Sequence, residues 1–132
     1  MAVWSHLPNA KHIDAIIADL KVNPKKWAAA WDAALSAARL VDRSAARYAA
    51  WDAAWDAALS AARYAVWGAA RYAVWGAALS AARYAVWGAI AALVAWDDCS
   101  YLLVMTPEQV EVQALLGNHA AILMLPAVIA LQ

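Results

Sequence analysis

The chain has 132 residues with ten basic and ten acidic side chains, so its formal net charge is zero and no global field selects nucleic acid, an anionic membrane or a basic partner. Its length suits one domain with a core that needs no disulfide or metal, and Cys99, the only cysteine, excludes an internal disulfide and fits a reducing compartment. Hydrophobic residues make up 67% of the chain, but Ala dominates them, and nine Trp and five Tyr stand with no Phe.

Met1 to Asp14 has no basic region followed by an apolar run, so no signal peptide is expected. Residues 1–9 read as an irregular lead-in punctuated by Pro8 and Asn9. Asn9 is the expected N-cap of an amphipathic helix over residues 10–22, in which Ile13, Ile16, Ile17 and Leu20 share one face. Asn23-Pro24 is a restart signal, so a second helix is predicted to begin at Pro24.

An array of sixteen tetrapeptides runs from Trp27 to Ile90 without a slip in register. Every first position is Trp, Arg or Leu, and every third position is Ala except Val41. Ala-rich sequence without Pro between Pro24 and Pro107 predicts helix almost throughout. Four residues of α-helix turn about 400°, so the Trp/Arg/Leu stripe advances about 40° per unit. One straight helix cannot hold that stripe against a flat core.

Three outcomes follow from that drift: segmentation into short helices, tight winding around a partner, or local unwinding towards four residues per turn. A buried face of about 100–140° accommodates three or four units, which favours segmentation. Leu40 to Ser44 is the expected break, and Gly68, Gly76 and Gly88 are weaker candidates for bends.

Beyond the array, Ile90 to Val104 reads as an apolar helix carrying Asp97 and Asp98. Thr106-Pro107-Glu108-Gln109 has the form of a capping box with Pro in first position. Gly117-Asn118 is expected to close that helix and cap the next. The longest uncharged stretch, Val112 to Gln132, is interrupted by Gly117-Asn118-His119 and Pro126, so it reads as two short buried helices rather than a membrane span. Leu123, Leu125, Val128, Ile129 and Leu131 are expected in the core. The fold class expected is all-α: a single domain over 1–132, a bundle of about five to seven helices with the array (24–90) folded back on itself between the first helix and the apolar C-terminal helices (91–132).

Arg and Trp stand four residues apart at Arg47 and Trp51, Arg63 and Trp67, Arg71 and Trp75, and Arg83 and Trp87; the last three pairs, whose Arg are the only formal charges from Ala57 to Trp96, are the sharpest candidates for binding. Such neighbours stack, and Arg with Trp and Tyr is the composition that binds bases and phosphates. The competing reading has each Arg lying over its Trp with its head in water. Drift of the stripe spreads the three Arg around the helix, so no track for extended nucleic acid is expected. The Ala rows allow close helix contact in water or in lipid, and the Arg and Asp of the array favour water.

Asp97, Asp98, Cys99 and His119 lack the spacing of a metal site or a nucleophile with its base, so Cys99 is expected to be a small buried residue. His6, His12 and His119 are too dispersed for a metal motif. No phosphate loop, dinucleotide fingerprint or hydrolase elbow occurs, so neither a catalytic site nor a cofactor is expected.

The array, together with Ala-Leu-Val-Ala-Trp-Asp-Asp-Cys and the ending Leu-Met-Leu-Pro-Ala-Val-Ile-Ala-Leu, resembles uncharacterised Ala-rich tetrapeptide-repeat proteins of bacteriophages and bacterial metagenomes over roughly Trp27 to Leu131. That resemblance implies a phage or bacterial origin and a cytoplasmic site, in the host if phage-encoded, and no activity. From the residues, the leading expectation is a non-enzymatic interaction protein that forms a homo-oligomer or binds a protein partner through Trp- and Tyr-rich surfaces. The second is a nucleotide-binding protein using the Arg–Trp pairs, and the third a membrane-active phage protein.

Overall fold

Ala, Leu, Trp and Arg tolerate helix well, and the Pro and Asn residues between the helical runs supply starts and stops. A computed structural model describes residues 4–41, 49–60, 68–69, 72, 74 and 80–132. Among them are six α-helices: α1 (Ala10–Val22), α2 (Pro24–Val41), α3 (Ala49–Ser60), α4 (Ser80–Ala95), α5 (Pro107–Leu115) and α6 (His119–Ala130), with a 3₁₀ helix over Cys99–Val104. The protein is an all-α bundle with extensive helix–helix packing.

Helix α6 is its axis. It packs against α2, α3, α4, α5 and the 3₁₀ helix, and Leu123, Met124, Leu125, Ala127 and Val128 are all buried. A helix apolar on every side belongs inside the protein. Pro126 therefore does not interrupt it but lies buried within it, because burial on several sides offsets the roughly 3 kcal/mol that an interior Pro costs a helix. Of the expected core residues Leu123, Leu125 and Val128 are buried and Ile129 is half-buried. Leu131 instead is 41% exposed, being the C-cap beyond the last turn.

The array splits as its drift requires. In α2, Trp27, Ala30, Trp31, Ala34 and Leu35 are buried, and at about 100° per residue these five cover about 140° of arc. The helix ends at Val41, inside the expected break; residues 42–48 lie outside the described residues. In α3 the buried positions are Ala54 and Ala58, with Trp51 and Trp55 half-buried. In α4 they include Ala82, Ala85, Val86, Ala89 and Ile90, while Arg83 and Trp87 are half-buried. Fourth-position Ala30, Ala34, Ala54 and Ala58 belong to the core of α2 and α3, and the Trp/Arg/Leu column, buried in α2, moves to the border in α3 and α4. Small Ala side chains let α2 and α4 pack closely, and Ile13, Ile16, Leu20, Leu93, Val94 and Leu102 supply the large aliphatic volume.

Gly88 does not bend α4. It is buried inside the helix, where a Cβ would collide with the six-membered ring of Trp51. Gly68 is helical and exposed, and Gly76 lies outside the described residues.

Local signals in the C-terminal third hold. Gln109 N donates to Thr106 Oγ1 at 3.2 Å and Thr106 N to Gln109 Oε1 at 2.9 Å, completing the capping box. Gly117 takes a φ of +87°, and Asn118 Oδ1 accepts from Ala121 N at 3.3 Å.

Two elements differ from expectation. The helix expected over Ile90 to Val104 stops at Ala95; Asp97 and Asp98 sit in a turn, and the 3₁₀ helix follows. Asn9 occupies the N-cap position of α1 but gives it no side-chain bond. Its buried amide instead donates to Leu93 O at 2.9 Å and Trp96 O at 3.0 Å. A continuing helix would offer those carbonyls to the N–H groups of residues 97 and 100. Asn9 takes them instead, and two carboxylates at a helix C-terminus face an unfavourable dipole, so the helix ends there.

Residues 4–9 are consequently part of the packed structure. Trp4 and Leu7 are buried, and Trp4 Nε1 donates to Asp14 Oδ1 at 2.7 Å.

Candidate functional site

Of the six residues expected to bind, Arg63, Trp67, Arg71 and Trp75 lie outside the described residues. Arg83 and Trp87 lie one turn apart on α4. Arg83 Nη2 donates to Ser80 Oγ at 3.1 Å. Trp87 meets Tyr84 edge to face, with centroids 5.4 Å apart and planes at 84°.

That contact belongs to a run of rings among the described residues. Trp55 stacks on Trp51 at 6.2 Å and 23°, and Trp51 meets Trp31 edge-on at 4.7 Å and 87°. Trp31 lies 5.7 Å from Tyr84 at 34°. The run ties α3, α2 and α4 together, each pair adding about 0.5–1.5 kcal/mol beyond its burial. Each of the seven described tryptophans is buried or half-buried. The described Trp of the array thus act mainly as packing, and among the described residues the exposed aromatics are tyrosines: Tyr72, Tyr84 and Tyr101.

A second region gathers residues that spacing alone does not. Asp98, Cys99 and His119 line one cleft of about 310 Å³ together with Trp96, Tyr101, Asn118 and Ala120. The Cys99 thiol is buried and donates to Ala92 O at 3.4 Å. Burial, reinforced by the charges of Asp98 and Asp97, pushes its pKa from 9.0 up to about 12. The thiol stays protonated near neutrality, so the group is no thiolate nucleophile despite its neighbours. Among the described residues no three His, Cys, Asp or Glu side chains are arranged to hold a metal ion.

A third feature is the outer face of α5. Val110 and Ala114 point into the core. Val112, Leu115 and Leu116 fall within about 100° on the opposite side and are 53%, 55% and 77% exposed. Val104, just before this helix, is also exposed. The spacing of 112, 115 and 116 opposite 110 and 114 is legible in the sequence as a short helix apolar on two sides.

No described helix is long and apolar enough to cross a membrane. The chain matches no family model, no curated protein and no solved structure.

Proposed function

We propose that the chain is a non-enzymatic helical interaction protein that self-associates, with the outer face of α5 as its contact surface. One observation carries this reading: Val112, Leu115 and Leu116 form an exposed apolar stripe on a helix whose other side is already packed on α6. Apolar patches on folded surfaces commonly mark interaction sites. Three side chains fall short of the roughly 800 Å² per partner of a stable interface, and exposed Val104, just before the helix, supplies further contact area. Action in a host cytoplasm, as the phage resemblance implies, belongs to the same proposal.

Sedimentation velocity on the full chain at micromolar concentrations tests it. We expect an oligomer that Leu115→Ser with Leu116→Ser shifts towards monomer, with helical circular dichroism retained because both side chains are exposed. A monomer throughout this range refutes self-association; an oligomer indifferent to the double variant refutes α5 as the contact.

A further inference from the structure

We propose that the cleft beyond the C-terminal end of α4 binds a small organic cation, an ammonium group carried on an apolar body. Trp96, Asp98, Cys99 and Tyr101, around the turn and the 3₁₀ helix, line it together with Asn118, His119 and Ala120 from the start of α6. At about 310 Å³ it is at the small end of metabolite sites, which run from about 300 Å³ upward.

Charge selects the sign of the ligand. No Lys or Arg lines the cleft, and none follows Arg83 in the chain, whereas Asp97, Asp98, Glu108 and Glu111 all do. Two helix ends also meet here. The N-terminus of α6, at Asn118 to Ala120, contributes about half a positive charge, and the C-terminus of α4, at Trp96, about half a negative one. These oppose each other, and Asp98 is the one carboxylate among the lining residues, beside the imidazole of His119. An anion would have to approach that carboxylate. A hard divalent ion would need several oxygen ligands in place of one carboxylate among rings.

Aromatic surface selects the body of the ligand. Trp96 is half-buried and Tyr101 is 45% exposed, so both rings retain free surface. Tyr101 is held in place: its hydroxyl accepts from Asn118 Nδ2 at 3.1 Å, and Asn118 is itself fixed by capping α6. The Cys99 thiol is not a competing donor, because it is directed to Ala92 O. Rings beside one carboxylate favour a weakly hydrated ammonium over a neutral molecule of the same shape.

Titration calorimetry on the full chain with choline, and with its neutral isostere 3,3-dimethylbutan-1-ol, tests the proposal. We expect choline to bind at least about tenfold more tightly than the isostere, equivalent to about 1.4 kcal/mol. Asp98→Asn should abolish that preference. Tyr101→Ala should weaken choline binding, and Tyr84→Ala, on the separate aromatic run, should leave it unchanged. Equal affinity for cation and isostere, no heat from either at millimolar ligand, or an unaltered preference in Asp98→Asn each overturns the proposal. Asp98 is exposed, so its variant should fold, and the comparison of two ligands on the unaltered chain needs no variant.

Discussion

Replacing Asn9 by Ala tests the closure of the fold, because this one amide joins the lead-in to the far end of α4. Asn9 is 2% exposed and spans 84 residues to reach Leu93 O and 87 to reach Trp96 O. Without the amide the buried Leu93 carbonyl loses this donor, which costs about 1–3 kcal/mol. Trp96 O retains a bond from Cys99 N at 3.4 Å, so its loss is smaller, about 0.5–1 kcal/mol. The sum is about 1.5–4 kcal/mol, or a fall in melting temperature of about 5–15 °C for a domain of this size. Urea unfolding followed by circular dichroism measures it. Capping of α1 does not confound the result, because the Asn9 side chain makes no cap bond. Asn9→Asp is the sharper variant, since it aims a carboxylate at two carbonyl oxygens. Its folded-state pKa must rise, so stability should be present at low pH, where the acid donates, and be lost as pH rises through that value. An Asn9→Ala variant within about 0.5 kcal/mol of the parent, the range of ordinary surface changes, or an Asn9→Asp variant without pH dependence, refutes the clasp.

Three further perturbations have defined outcomes. Gly88→Ala should destabilise by about 1–3 kcal/mol through overlap with Trp51, adding Trp51→Leu to that variant should relieve part of the loss, and Gly68→Ala, where an added Cβ meets nothing within 4 Å, should stabilise by about 0.5–1 kcal/mol; thermal melts of these three variants decide. Burial alone raises the Asp19 carboxyl, but bonds from Lys26, Trp27 and Asn23, with the charge of Lys26, hold it below 3.8. Its stabilising contribution is therefore present above that value and fades as pH falls through the lower folded one, and Asp19→Ala should flatten this acid limb while costing about 1–3 kcal/mol by removing the partner of buried Trp27 Nε1. Cys99, raised from 9.0 to about 12, should resist an aromatic disulfide reagent at pH 8 until denaturant is added, and its contribution to stability should fall away as pH rises between those two values; fast labelling of the native protein contradicts its burial.

What could be read from the sequence was local. The capping box at Thr106, the start at Pro24, the cap at Asn118 and the buried Ile face of α1 each depend on residues within a turn or two. Asn9, the end of α4 and the passage of Pro126 depend on partners far along the chain, and no local pattern announces them. Site reading divided in the same way. The i,i+4 spacing identified Arg83 and Trp87 as neighbours on α4, but Trp87's contact with Tyr84 and the run onward to Trp31 and Trp51 require three helices to be placed together. Asp98, Cys99 and His119 share a cleft only because the 3₁₀ helix and α6 fold against each other.

The repeats themselves show why identical sequence need not mean identical role. Arg-Tyr-Ala-Val-Trp-Gly-Ala begins at Arg63, Arg71 and Arg83, and its glycines include Gly68 and Gly88. The first faces open space and the second faces the ring of Trp51. A period of four on a helix of 3.6 residues per turn rotates each copy relative to the core, so a duplicated block meets new surroundings wherever it lands. In α2 the Trp column is buried, and in α4 the same column stands at the border while Ala takes the interior. Ala at both third and fourth positions makes this tolerable: fourth-position Ala30, Ala34, Ala54 and Ala58 are buried in α2 and α3, and third-position Ala85 and Ala89 in α4, so the inward face keeps small side chains that permit close approach. Such an array gains bulk chiefly through its Trp and needs the aliphatic helices α1 and α6 to complete a core. Specific surfaces then arise outside it, on α5 and around the turn at Asp98, where the period stops and each residue occurs once.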